Sequence, residues 1–297
     1  MEFPVRVRHS GGMDGERLFC GTALAARIER AEARLIAESS DAARARRGDS
    51  VGFARPLAGG VASFAEADSP FNKIAGLGFD GLPDALDEVE QAFAELGAPV
   101  QVELAQLADP AVGAFFTGRG YHLESFENVL GRRVGEGVPA EDVRLARDDE
   151  LETWLAEVAD AFAVADTEGV PSHEDFPRQT VIDAMRDMAG VRRYVAEREG
   201  EFAGGASFRV TDGIAQFTGA ATVPRFRRRG VQTALLRARL AAAAEAGCDV
   251  AVVTTQPGSK SQENVQRQGF DLLYARAILV KGVSSTSSSG ADSRQAS

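Results

Sequence analysis

Apolar positions recur with helical spacing from about Glu16 to Arg47, in "ERLFCGTALAARIERAEARLIAESSDAARARR", a stretch with few breakers. That spacing predicts one long helix. Three short strand-like runs follow, "SVGFARPLAG", "GVASFAEAD" and "FNKIAGLGF". "LPDALDEVEQAFAELG" reads as a helix stopped by Gly97, "PVQVELA" as a strand, "DPAVGAFFTGRG" as a short helix and "YHLESFENVLGRRV" as a long strand. The second half runs similarly. "VRLAR" predicts a strand; "DDELETWLAEVADAFA" and "HEDFPRQTVIDAMRDMAG" predict helices. "VRRYVAERE", "EFAGGASFRV" and "IAQFTGAATV" predict consecutive strands joined by glycine-containing turns. The helix "VQTALLRARLAAAAEAG", the buried-type strand "DVAVVTT", the short helix "SKSQENVQRQG" and the closing strand "FDLLYARAILVK" complete the pattern.

The halves also match each other residue by residue. "AELGAPVQVEL" lies over "AEAGCDVAVVT", setting Gly97 on Gly247 and Val100 on Val250. "GYHLESFENVL" lies over "GFDLLYARAIL", setting Gly120 on Gly269 and Leu123 on Leu272. Two anchors at nearly one offset, in one element order, predict a duplicated α+β domain. The alternative is an unrelated α+β first half. The expected domains are residues 1–138 and 139–282, each a mixed, mostly antiparallel sheet flanked by helices. The tail 283–297, "VSSTSSSGADSRQAS", is Ser-rich and nearly free of apolar residues, which predicts disorder.

Composition narrows the function classes. The 297 residues suit two domains of roughly 150 residues. No apolar run approaches the roughly 18 residues of a membrane span, and "MEFPVRVRHSGG" lacks the apolar core of a signal peptide. Cys20 and Cys248 form no metal spacing or disulfide framework, so a reducing cytoplasm is expected. Of 33 basic residues only Lys73, Lys260 and Lys281 are lysine; with the abundant alanine this suggests a GC-rich bacterial genome. The net charge of −11 argues against a nucleic-acid partner, since phosphate neutralisation needs a broad basic surface.

Against that acidic background, "VPRFRRRGVQTALLRARL" places Arg225, Arg227, Arg228 and Arg229 directly before Gly230 and a helix. The first N–H groups of a helix lack intrahelical acceptors, and the dipole there favours anions. Gly230 lets the backbone approach a ligand without a Cβ. Arginine forks supply permanent charge suited to phosphate oxygens. The strand "FTGAATV" delivers this loop from the sheet. These residues alone predict a ligand bearing a pyrophosphate; the alternative is a solvated basic patch.

"TVPRFRRRGVQTALL" resembles the acyl-CoA loop of the GNAT acetyltransferase superfamily, whose signature is Arg/Gln-x-x-Gly-x-Gly/Ala at a strand-to-helix junction. Here it reads Arg227-Arg228-Arg229-Gly230-Val231-Gln232, with Gln232 in place of the small residue. "SQENVQRQGF" resembles the family's later helix ending in Gly-Phe, here Gly269-Phe270. The resemblance covers about residues 140 to 282. It implies acetyl-CoA as acyl donor. It implies that the strand bearing Ala221, Thr222 and Val223 splays from "DVAVVTT", its backbone pairing with pantetheine amides. N–H groups from Arg228 to Thr233 would hold the pyrophosphate, and Asn264 sits where members often contact the pantetheine arm. The implied product is an acetylated amine of a small molecule or protein, made by a monomer or homodimer. The other readings are an acyl-CoA-binding sensor or inactive relative, and a nucleic-acid module opposed by the charge.

The equivalent loop of the first half, "IAGLGFDG", contains no arginine, and its helix opens with Asp84, Asp87, Glu88 and Glu90. Those carboxylates satisfy the helix dipole and repel pyrophosphate. The first half is therefore expected to keep the fold without the cofactor site, to pack against the second half and to wall its substrate cleft. The chemistry is less well furnished. Many family members place a tyrosine acid in the late helix, where this chain has Val265; some use a glutamate base in the strand before the loop, where Gln216 and Thr218 stand. Tyr274 is the remaining candidate acid, with strand packing as its alternative. His173, beside Glu174 and Asp175, is a candidate base or substrate contact, with a surface helix start as its alternative. Glu197, Glu199 and Glu201 flank a turn, where solvation is the simpler reading. His9 and His122 have no supporting partners, so no metal is expected.

Overall fold

The computed structural model describes residues 17–135, 140, 142–164, 170 and 175–282. The Ser-rich tail, His9, His173 and Glu174 lie outside them. The first half runs α1 (Thr22–Arg47), β1 (Phe53–Leu57), β2 (Gly60–Phe64), β3 (Lys73–Ala75), α2 (Leu86–Glu95), β4 (Val100–Ala105), α3 (Pro110–Gly118) and β5 (His122–Arg133). The second runs β6 (Val143–Leu145), α4 (Leu151–Ala163), α5 (Arg178–Asp187), β7 (Arg192–Arg198), β8 (Glu201–Thr211) and β9 (Ile214–Thr222). It continues with α6 (Val231–Glu245), β10 (Val250–Thr255), α7 (Lys260–Arg267) and β11 (Asp271–Lys281).

Among the described residues, eleven strands join one sheet, in the order β1-β2-β3-β4-β11-β5-β10-β9-β8-β7-β6. Two neighbouring pairs, β3–β4 and β9–β10, are parallel and the rest antiparallel. The expected α+β architecture is present, but the boundary placed at residue 138 does not separate two sheets. β5 from the first half pairs with β10, and β11 from the second pairs with β4. The two closing strands pair with each other in the middle, from Asp271↔Gly131 to Val280↔His122. Each half thus lends its last strand to the other.

Strand alternation assigns the helices to two layers. Ile214, Val250, Val252, Val129 and Tyr274 pack on Ala25, Ile28 and Ala31 of α1. Their neighbours Ala215, Phe217, Ala251 and Leu130 pack with Leu235 of α6 and Val265 of α7 on the opposite face. In the first half, Val61 and Ala75 face α1, while Ala62, Ile74 and Val102 face α2 and α3. α4 and α5 share the α1 layer, with Trp154 stacked over the sheet and its indole N–H donating to Tyr194 O at 2.9 Å.

A charged cluster crosses the buried centre between α1 and the sheet. Arg276 of β11 is 1% exposed and donates to Glu29 Oε1 at 2.8 Å. Its other nitrogens approach Glu103 at 3.5 Å, Glu127 at 3.8 Å and Glu32 at 3.9 Å. Lys73 pairs with Glu103. Arg276 is in the second half, whereas all four carboxylates and Lys73 are in the first, so the exchange of strands brings a charge across the halves.

Candidate active site

β9 and β10 stay paired only from Ile214↔Val250 to Phe217↔Val253. β9 then runs on to Thr222 and β10 to Thr255 without each other, so the strands part as the sequence implied. A bulge helps to turn β9 away: its register with β8 slips between Ala206 and Ser207, and Gly219 adopts φ +33°. Beneath the bulge lies Arg239 of α6, 3% exposed. It donates to Ser207 O at 3.1 Å, Thr218 O at 3.4 Å and Leu235 O at 3.2 Å, with its guanidinium 4.6 Å from the Phe217 ring centroid. Burial lowers its pKa to about 9. Nothing in the sequence marks it, because an arginine at a helical core position looks like any exposed one in "LLRARLAA".

Past the gap, Val223 N donates to Ala203 O at 3.0 Å and Pro224–Phe226 forms one 3-10 turn that buries Phe226. Gly230 is the N-cap of α6 at φ +76°, with no side-chain cap and no acid in the first turn. Arg228, also at a positive φ of 61°, is exposed beside it. A left-handed residue just before an uncapped helix turns successive N–H groups toward one point, an anion-binding concavity. The free gap edge of β9 can pair with a chain carrying amides, and the helix N-terminus beyond it can take phosphate. The residues fit an acyl-CoA.

The arginines divide their roles. Arg229 pairs with Glu199 and Arg225 with Glu201 at 2.6 Å, and both lie over the Phe226 ring. Arg227 donates to Val164 O at 2.9 Å and Ala161 O at 3.4 Å, satisfying carbonyls at the end of α4. It holds the loop rather than facing the gap. Glu197 pairs with Arg144, so all three glutamates read as solvated are ion-paired. Gln232 and Asn264 do come together, with Asn264 Nδ2 donating to Gln232 Oε1 at 2.6 Å. The residue that departs from the family signature thereby ties α6 to α7. Asn128 of β5 donates to Gln262 at 3.2 Å, tying α7 to the first half.

Tyr274 needs correction as an acid candidate. It is 3% exposed, on the α1 face, and its hydroxyl donates to Glu29 at 2.7 Å. Burial, with the Glu29 charge second, pushes its pKa far above the usual range, and such a group does not release a proton near neutrality. Val265 is packed in the core beside Phe270. Thr218 bonds Ser207 at 2.9 Å, and Gln216, 3% exposed, donates to Glu32 at 3.3 Å.

In the first half the corresponding gap is shut. β3 and β4 share one pair, Ile74↔Val102, and then Asp109 N donates to Gly78 O at 2.8 Å across the divergence. A Cβ on Gly78 would lie 2.2 Å from that of Ala108. The first turn of α2 carries Asp87 and Glu88, and Arg119 pairs with Asp87 and with Glu90 at 3.0 Å.

Residues 149–270 match the acetyltransferase (GNAT) family model. Among solved structures, the chain is similar to a GCN5-related N-acetyltransferase from Kribbella flavida at 19% identity, over 87% of this chain and 95% of that one, with a TM-score of 0.61. It is also similar to a tandem GNAT protein from the clavulanic acid biosynthesis pathway at 11% identity, over 89% and 97% of the chains, with a TM-score of 0.53. A comparison with curated proteins gives no match.

Proposed function

We propose, for a chain whose residues 149–270 match the acetyltransferase (GNAT) family model, transfer of an acetyl group from acetyl-CoA to a primary amine. The parting of β9 from β10, ending at the uncapped N-terminus of α6, carries this reading. Backbone groups of Ala221, Thr222 and Val223 would pair with the pantetheine arm. N–H groups from Arg228 to Thr233 would take the pyrophosphate, with Arg228 and Arg229 supplying charge. Asn264, held by Gln232, would border the arm. Acetyl-CoA supplies an activated acyl carbon and a thiolate leaving group. The chain's part is to fix the thioester at the apex of the gap, beside Phe217, and to exclude water there by burial of that ring.

Thermal unfolding with acetyl-CoA tests this directly. Ligand at about 100 times its Kd should add ~2.7 kcal/mol. Gly230→Glu should abolish the shift, placing bulk and negative charge at the phosphate position. Absence of any wild-type shift at millimolar acetyl-CoA sinks the reading. A shift without turnover toward any amine makes the protein an acyl-CoA sensor instead.

A further inference from the structure

The second half's β9 offers Gln216 where a proton acceptor would serve, and its side chain donates from Nε2 to Oε2 of Glu32. Glu32 belongs to α1, in the first half. The same oxygen lies 3.9 Å from Arg276 of β11. β10 and β5 lie between β9 and β11, so a carboxylate touching both outer strands sits over the two inner ones. The registers fix its height. Phe217↔Val253 is the last β9–β10 pair, Thr255 is level with Asn128, and Glu127 is level with Arg276. Gln216 therefore stands one position on the closed side of the parting point and Arg276 three positions on the open side, counted along β10 from Val253. Glu32 bridges the two, over the floor of the gap.

Its surroundings favour a cation. Arg276 and Lys73 are the positive groups of the cluster; Glu29, Glu32, Glu103 and Glu127 are the carboxylates, and Tyr274 is neutral. Among the described residues, buried Glu29 Oε2 has no hydrogen-bond partner. Glu29 and Glu103 are sealed, their side chains 1% and 3% exposed, whereas that of Glu32 is half-buried at 25%. Desolvation raises the Glu32 pKa, aided by Glu103 and Glu29 against Arg276 and Lys73. A carboxylate raised in this way is a better proton acceptor near neutral pH than an ordinary one.

We propose that Glu32 is the general base of the reaction and that the acceptor is a cationic alkylamine, so that the first half supplies the carboxylate that Gln216 of the second half cannot. This rests on the acyl-transfer reading above. The ammonium is drawn to the carboxylate cluster and gives one proton to Glu32. The neutral nitrogen's lone pair then forms the C–N bond at the thioester carbon, and the C–S bond breaks with its electron pair leaving on sulfur. The second nitrogen proton passes to water, the sulfur takes a proton from solvent, and Glu32 returns its own proton to solvent.

The test compares two nucleophiles with wild type, Glu32→Gln and Glu32→Asp in the full chain, after subtraction of the uncatalysed rate. 1,5-Diaminopentane is protonated at pH 7 and requires a base; hydroxylamine is neutral and does not. Glu32→Gln should lower kcat/KM for the diamine about 100-fold or more, leaving hydroxylamine within about threefold. Its acetyl-CoA thermal shift should match wild type, showing an intact fold and donor site. The wild-type diamine profile should carry a rising limb set above the ordinary carboxylate range, lost in Glu32→Gln and retained at lower rate in Glu32→Asp. Equal loss with both nucleophiles, an unaltered diamine rate, or wild-type use of hydroxylamine but not the diamine overturns the proposal. Wild-type transfer to neither, with acetyl-CoA bound, overturns the acyl-transfer reading as well.

Discussion

The two halves handle one geometric problem, a parallel strand pair that must diverge, in opposite ways. In the second half β9 and β10 part after Phe217↔Val253 and the gap stays open. In the first half the strands part after one pair, and a hydrogen bond from Asp109 to Gly78 closes the space at once. The helix beyond follows suit: α6 starts at an uncapped Gly230 without acids, while α2 starts on Asp87 and Glu88. An open gap and a bare helix end belong together, because buried backbone groups left unpaired cost free energy unless a ligand or water meets them. Closing one removes the reason to keep the other.

The largest expected contrast is in binding. Calorimetry should give one acetyl-CoA per chain, and a stoichiometry near two would erase the distinction between the halves. Next comes the joint between them: Arg276→Met leaves Glu29 buried without its cation, while Glu103 keeps Lys73, and breaking the Glu29 pair should cost about 3–5 kcal/mol in denaturant unfolding. One substitution in each gap then sharpens the comparison. Gly78→Ala meets Ala108 in a left-handed conformation and should cost about 2–4 kcal/mol from overpacking and strain together. Gly230→Ala, at φ +76° with open space around the new Cβ, should cost only about 1 kcal/mol, from strain alone. Equal costs would mean that the first-half gap is not closed by packing. Smallest is Arg229→Ala, which breaks an exposed pair with Glu199 and should shift stability by about 0.2–1 kcal/mol while weakening acetyl-CoA binding in a salt-dependent way.

Much of this was legible in the sequence, and the reasons for the rest are physical. Helical and strand periodicities are local, so every helix and strand was readable from its own segment. The loop around Gly230 was readable because phosphate chemistry needs glycine, arginine and a helix start within a few residues. The exchange of β5 and β11 was not, since strand pairing over some 150 positions leaves no local mark. Two hints were present: Arg276 inside the apolar run "LLYARAILV", and Glu29 inside the apolar stripe of α1. Each reads alone as an exposed charge; together they are a buried pair. The burial of Tyr274 is hidden for the same reason, because only the strand's register shows that it turns toward α1. Arg227 was counted with its neighbours, yet a residue in the same run can as easily close a helix end as meet a ligand.

The exchanged strands also dictate an order of events during folding. β4 and β5 are close in sequence but do not pair; the slot between them waits for β11, the last of the described strands. Neither half can bury its central charges until that strand arrives, so no intermediate with one finished domain and one unfolded one is available. The chain must hold two incomplete sheets, each with an exposed edge, and complete both in a single late step. Such long-range closure predicts slow folding for the chain's size, and a vulnerable interval in which a β11 from a neighbouring molecule could enter the slot instead.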